Sequence, residues 1–269
     1  FEKGILSLDD TGGLDLYFGN IDAVLELAEQ TGKGEGFGKL VAEGSAFLSR
    51  RIGKGSEKYL TTVKDKELPA HMPQTKAGVG LAYALVPFGA DHVSIEMDPA
   101  IGALPLSSHM KALGFDRAED PAEMNLEKSK LFWRTQCAYS LMDTASVCIL
   151  AFGFGMANDL DDLVEAINHA TGWKTNFYEL MMVGERRLQL MRAFNAREGF
   201  INADDELPQK LFTPLNGGVT DGVIMDKDAF YKVRDFYYEM AGWTGENGAP
   251  TTARLMSINL DWAVDYLKQ

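Results

Sequence analysis

The sequence predicts a mainly α-helical fold. Apolar residues recur at helical spacing in most segments, cap residues and glycine stops bracket those segments, and alternating strand-type runs are few. Asn20 is placed to cap a first helix carrying Ile21, Val24, Leu25, Leu27 and Ala28. Phe37, Leu40, Val41, Phe47, Leu48 and Ile52 continue that stripe up to Gly53, a stop signal. Lys54 to Pro73 is polar and carries Pro69 and Pro73, so it reads as an irregular connector. Ala77 to Val86 is a short apolar helix that Pro87 cannot extend. Glu123 to Met142 has helical character through Leu126, Leu131, Phe132 and Leu141. Asn158 is placed to cap Asp159 to Ala170, whose early acids suit the positive helix end and which Gly172 terminates. Thr175 to Ala196 presents Phe177, Met181, Leu188, Met191 and Phe194 as a long amphipathic helix. Asp226 caps a helix to Ala241 that buries Ala229, Phe230, Val233, Phe236, Tyr237 and Met240. Thr251 or Thr252 opens a short helix, and Asp261 to Leu267 forms the last. Thr61 to Val63 and Val93 to Met97 are the best strand candidates, and both are weak.

With 269 residues the chain can bury a substantial core in one to two domains. Its 39 acidic and 26 basic residues leave a formal charge of -13, a field that repels phosphate backbones and anionic lipid, so neither nucleic acid nor a membrane is an expected partner. The only long apolar run, Ala145 to Ala157, is shorter than the roughly 18 residues a spanning helix needs. No basic leader with a cleavage site opens the chain, and two cysteines make no disulfide framework; both point to a reducing cytoplasm. The first residue is Phe, and Phe1-Glu2-Lys3-Gly4 reads as the end of a helix already under way, so an N-terminally truncated piece is expected.

The chemistry-bearing residues name no reaction by themselves, because no nucleotide loop, zinc-protease helix, nucleophile elbow or C-x-x-C pair is present. The glycines at 32, 34, 36 and 38 match no nucleotide fingerprint and read as a helix–helix connection. Cys148, five residues after Asp143 in D-T-A-S-V-C, is either a buried small hydrophobe or a thiolate metal ligand beside a polar cofactor held by Asp143. One thiolate cannot hold an iron–sulfur cluster, which takes four. Cys137, eleven residues upstream, is either a second ligand or a residue packed inside a helix. His92, in F-G-A-D-H after an apolar helix, is either structural or a proton donor and acceptor near neutral pH, and His71 in E-L-P-A-H-M-P has the same two readings. His109 and His169 read as ordinary helix or loop residues.

Several segments together resemble the C-terminal part of the tungsten-pterin aldehyde ferredoxin oxidoreductase family. They are V-K-D-K-E-L-P-A-H-M-P (63–73), G-L-A-Y-A (80–84), G-A-D-H (89–92), D-T-A-S-V-C (143–148), N-A-R-E-G-F (195–200) and D-D-E-L-P-Q-K-L-F (204–212). D-G-V-I-M-D-K-D-A-F, F-Y-Y-E-M-A-G-W and G-A-P-T-T-A-R-L follow, and order and spacing agree across nearly the whole chain.

The resemblance implies the helical C-terminal domains of such a protein, with residues 1–62 ending a middle domain and 63–269 forming the last. A β-rich N-terminal pterin domain would be the missing N-terminal half, without which the piece would be inactive. It implies a bis-pterin tungsten or molybdenum site and a [4Fe-4S] cluster. The implied activity is oxidation of a small aldehyde to its carboxylate, with electrons passing to ferredoxin or an iron–sulfur subunit, and it leaves room for a homodimer. Cys148 is similar to the fourth cluster ligand, and Asp143 and Val147 to the pterin-binding motif D-x-x-G-L-C, in which Ser146 here replaces glycine. His92 looks like the histidine beside the metal, and His71 stands where the family often has tyrosine. Asp10 to Asp15 formally fits the first pterin motif, D-x-x-G-L-D. Its flanks instead match the segment after that motif, which places the motif and three cluster cysteines upstream of Phe1. The alternatives are the tungsten subunit of an aromatic acyl-CoA reductase, or a cofactor-free helical scaffold.

Overall fold

The computed structural model describes residues 1–154 and 156–267. Eleven α-helices appear among them: α1 (Ile21–Lys33), α2 (Gly38–Val41), α3 (Ser45–Ile52), α4 (Ala77–Leu85), α5 (Ser108–Ala112), α6 (Leu126–Thr144), α7 (Ile149–Phe152), α8 (Leu160–Thr171), α9 (Phe177–Arg197), α10 (Lys227–Ala241) and α11 (Thr252–Ser257). One two-residue hairpin, β1 (Thr62–Val63) against β2 (Lys66–Glu67), is the sheet content of the described residues. The expected mainly α fold is what is observed.

The caps behave as side-chain chemistry dictates. Asn20, Asp226 and Thr251 each accept a backbone N–H of the first turn of α1, α10 and α11, and Gly34, Gly172 and Gly242 close α1, α8 and α10 in left-handed geometry. Three sequence expectations shift. Asp159, not Asn158, caps α8, because its carboxylate reaches the Asp161 and Asp162 amides while Asp162 answers at the Asp159 amide. Helix α6 begins after Asn125 rather than at Glu123, since the Asn125 side chain takes the Glu127 amide. Val93 to Met97 is not a strand: the Asp91 carboxylate captures the amides of Val93 and Ser94, and Glu96 captures that of Met97, which takes three of the segment's five donors away from any ladder.

Helix α6 is the hub, packing against α9, α10 and α4. It is buried at most positions between Lys128 and Met142, so it needs polar groups that find partners in the protein rather than in water. Ser129 donates to the Val233 carbonyl at 2.8 Å, and Tyr237 donates to Gln136. Ser140 donates to the Gly184 carbonyl at 2.8 Å where α6 and α9 cross. The crossing is possible because Gly184 has no side chain: a Cβ there would lie 2.0 Å from the Cys137 carbonyl oxygen. Helix α4 is completely buried and forms the main core with α10, Phe132 and Trp133, and a second core gathers around Leu131, Met142 and Leu163.

A buried ionic cluster pins the hairpin to this framework. Arg192 of α9 and Lys64 both pair with Asp205, whose side chain is fully inaccessible, and Tyr238 donates to the same carboxylate. Burial alone would raise the Asp205 carboxyl, but the charges of Lys64 and Arg192 outweigh it and hold it below its ordinary value. Lys64 also donates to the Ala84 carbonyl at the end of α4. The hairpin loop needs positive φ at Lys64 and Asp65 (52° and 62°), the pattern of a type I′ turn. By contrast, Ile21, Val24 and Leu25 of α1 face solvent, so the apolar stripe read there is not core among the described residues. No helix of the described residues is long and apolar enough to cross a membrane.

Candidate functional site

The candidate residues lie at two places tied to α6. The first is built on α4. Pro73 precedes the helix, the chain leaves it at Pro87, and the flanking segments fold back on each other. His71, before the helix, and His92, after it, bring their rings together edge to face, with centroids 4.7 Å apart. The Tyr83 hydroxyl of α4 fixes the His71 segment by donating to the carbonyls of Pro69 (3.2 Å) and His71 (3.0 Å). Gly89 sets the other side with φ at 98°, and a Cβ there would come within 2.9 Å of both Lys66 Cβ and the Val63 carbonyl. Asn195, in the N-A-R-E-G-F segment, donates to the Pro87 carbonyl at 2.6 Å.

The two histidines differ electrostatically. Lys76 places its ammonium 3.1 Å from His71 Nδ1. Partial burial, then the charges of Lys76 and His92, hold the His71 imidazole below its ordinary value. His92 Nδ1 is buried and has no hydrogen-bond partner in the protein. An orphaned ring nitrogen is costly unless a ligand, water or substrate atom meets it.

The second place is the C-terminal end of α6. Asp143 lies in its last turn and faces solvent, with Arg187 of α9 3.1 Å away. Ser146 then turns left-handed at φ 57°. Its amide donates to the Asp143 carbonyl and the Val147 amide to the Met142 carbonyl, each at 3.1 Å, which is the bond pair of a Schellman turn. Val147 packs inward on the second core, while Cys148 emerges exposed and opens α7. The family motif's glycine is therefore explained by the backbone: position 146 requires the conformation glycine adopts without strain. Tyr139, one turn earlier on α6, donates to Glu96 at 3.0 Å and stacks on Phe154 beyond α7. Glu96 and Tyr139 thus tie the loop carrying His92 to the helix carrying Asp143 and Cys148. Burial pushes the Glu96 carboxyl above its ordinary value.

The structure therefore pairs His71 with His92, and it places Asp143, Val147 and Cys148 on one turn. Cys137 is buried in α6, where desolvation drives its thiol well above the ordinary value, so it is a packing residue. His109 is buried in α5 with a bond to the Asn158 carbonyl, as a structural histidine. Asp10 is engaged inside its own turn by the Ser7 amide and hydroxyl. Sequence reasoning passed over Lys76, Tyr83, Glu96, Tyr139 and Arg187. One signal was available for Lys76, a cation directly before an apolar helix, where the helix dipole disfavours positive charge.

These residues accept the implied groups without holding them alone. No set of three or more His, Cys, Asp or Glu among the described residues is disposed to bind a metal ion. An exposed cysteine can offer at most one sulfur ligand, and an orphaned imidazole nitrogen beside a second imidazole suits proton exchange with a small ligand.

Comparison with known proteins gives a consistent picture. A family described as "Aldehyde ferredoxin oxidoreductase, domains 2 & 3" matches residues 1–260. The tungsten-containing aldehyde ferredoxin oxidoreductase of Pyrococcus abyssi is 31% identical over 269 residues, covering 97% of this chain and 41% of that protein. The aliphatic sulfonate oxidoreductase WOR-like subunit of Pyrococcus furiosus is 23% identical, covering all of this chain and 39% of that protein. Among solved structures, the active site complex BamBC of benzoyl coenzyme A reductase with 1,5-dienoyl-CoA aligns with a TM-score of 0.70 at 19% identity, covering 98% of this chain and 42% of that one; it shows likeness of fold. The chain spans about two fifths of the length of these curated relatives.

Proposed function

The chain belongs to the aldehyde ferredoxin oxidoreductase family, and from that premise we propose that it forms the C-terminal helical part of a tungsten-pterin, iron–sulfur oxidoreductase that converts aldehydes to carboxylates and passes the electrons to ferredoxin. The observation that carries the reading is the turn from Asp143 to Cys148. Residue 146, where the motif has glycine, stands in the left-handed region that glycine adopts without strain, and the turn leaves the carboxylate and the thiol both facing outward.

A bound tungsten-pterin group would supply the two-electron redox chemistry, in which aldehyde and water give carboxylic acid, two protons and two electrons. Asp143 would accept hydrogen bonds from the pterin. The Val147 amide is already used within the turn, so Val147 would meet the pterin through its carbonyl. Cys148 would give one thiolate to a [4Fe-4S] cluster, the others coming from polypeptide outside this chain. His92 would exchange protons at the buried Nδ1, and His71 would hold the substrate oxygen by hydrogen bonding.

Anaerobic preparation from the complete gene, with metal and pterin analysis and assays of aldehyde-dependent ferredoxin reduction, tests this. Tungsten or molybdenum with aldehyde turnover supports it. Turnover of an aromatic acyl-CoA instead assigns the reductive branch, and metal-free protein assigns a scaffold role.

A further inference from the structure

We propose that Lys76 is a positioning residue that locks His71 as the neutral imidazole with its proton on Nε2, so that this nitrogen is a hydrogen-bond donor at neutral pH. A lysine ammonium carries three donors and no acceptor, so an atom 3.1 Å from it that shares a hydrogen bond must be the acceptor. Nδ1 of His71 is that atom and must therefore be unprotonated, which leaves the single proton of the neutral ring on Nε2.

Lys76 is held for this purpose. Among the described residues it has no carboxylate within ion-pairing distance, and its other contact is the Met97 sulfur at 3.5 Å, a weak acceptor. It stands at the N-cap position of α4, where a positive charge opposes the helix dipole. The groups that face His71 are Lys76 from the cap of α4, His92 from the loop after α4, and the Tyr83 hydroxyl, which is occupied with the His71 carbonyl. None is an anion that would draw a second proton onto the ring, and Lys76 repels one. His71 Nε2 has no protein partner among the described residues and is free to donate to a carbonyl or carboxylate oxygen. That use rests on the reading of the site given above, whereas the tautomer does not.

The test is nitrogen-15 spectroscopy of imidazole-labelled protein, using the 269-residue chain, with His71 assigned by loss of its signals in His71→Gln. The wild type should show Nε2 protonated and Nδ1 bare at neutral pH. Lys76→Met should give a mixed tautomer and a higher titration midpoint, and Lys76→Arg should restore the wild-type pattern. A protonated Nδ1 in the wild type, or identical spectra in Lys76→Met, overturns the proposal. If Lys76→Met fails to fold, the wild-type spectrum decides alone. Failure of the metal reading leaves this spectrum unchanged, so the two outcomes are separable.

Discussion

His71 and His92 meet edge to face, with ring planes 84° apart, across the two ends of α4. Neither ring is hydrogen-bonded to a carboxylate, and the Lys76 ammonium lies 3.1 Å from His71 Nδ1. Partial burial, the Lys76 ammonium and the second imidazole disfavour a positive charge on His71, which is set for neutral hydrogen bonding.

A pH dependence follows. The folded state holds His71 below its ordinary value of 6.5, so the folded protein binds fewer protons there than the unfolded chain. The associated stability is fully present above that ordinary value and is lost as pH falls through the lowered folded value. Urea midpoints taken as pH is lowered from neutral should fall, and His71→Phe should flatten the fall. An equal slope in both proteins would contradict the assignment.

Ser146 is strained by its left-handed backbone, which costs a residue with a Cβ about 1–2 kcal/mol. Glycine relieves that but adds about 0.4–1 kcal/mol of unfolded-state entropy. Ser146→Gly should therefore raise stability by roughly 0.5–1 kcal/mol in urea melts, and Ser146→Val should lower it.

How far the sequence revealed the fold depends on whether the deciding contact is local. The caps at Asn20, Asp226 and Thr251 and the stop at Gly172 were legible, because a cap bonds within its own turn. Val93 to Met97 was misread because carboxylates of neighbouring residues took its amides. The candidate turn at 143–148 was visible as a motif, yet the reason for its glycine appeared only with the φ of Ser146. The contact of His71 with His92, and the tie from Glu96 to Tyr139, join segments that no local pattern links. Several motif segments also prove to be scaffold: D-D-E-L-P contributes Asp205, V-K-D-K contributes Lys64, and Gly248 accepts the Arg192 guanidinium at its carbonyl.

Gly184 should tolerate no side chain. Alanine would gain about 1 kcal/mol of helix propensity, yet its methyl would collide with the Cys137 carbonyl and the Leu141 amide. Overpacking of about 1–3 kcal/mol or more should dominate. Gly184→Ala should melt earlier and displace Arg187 from Asp143, while an unchanged melting curve would show that α6 and α9 separate freely.

The Asp205 cluster should be the most sensitive buried site. Asp205→Asn leaves Lys64 and Arg192 without their shared anion, and breaking a buried pair costs about 3–5 kcal/mol. In the wild type this contribution is complete above the ordinary carboxyl value of 3.8 and disappears as pH falls through the lower folded value. Acid unfolding of the variant should lack that step.

The most direct test of the central claim, that residue 148 supplies a cluster thiolate, is electron paramagnetic resonance of the reduced, anaerobically prepared protein from the complete gene, wild type against Cys148→Ser. The account predicts a [4Fe-4S] signal that Cys148→Ser abolishes or shifts while Cys137→Ser leaves it intact. A spectrum indifferent to Cys148, or one lost only on changing Cys137, would contradict it.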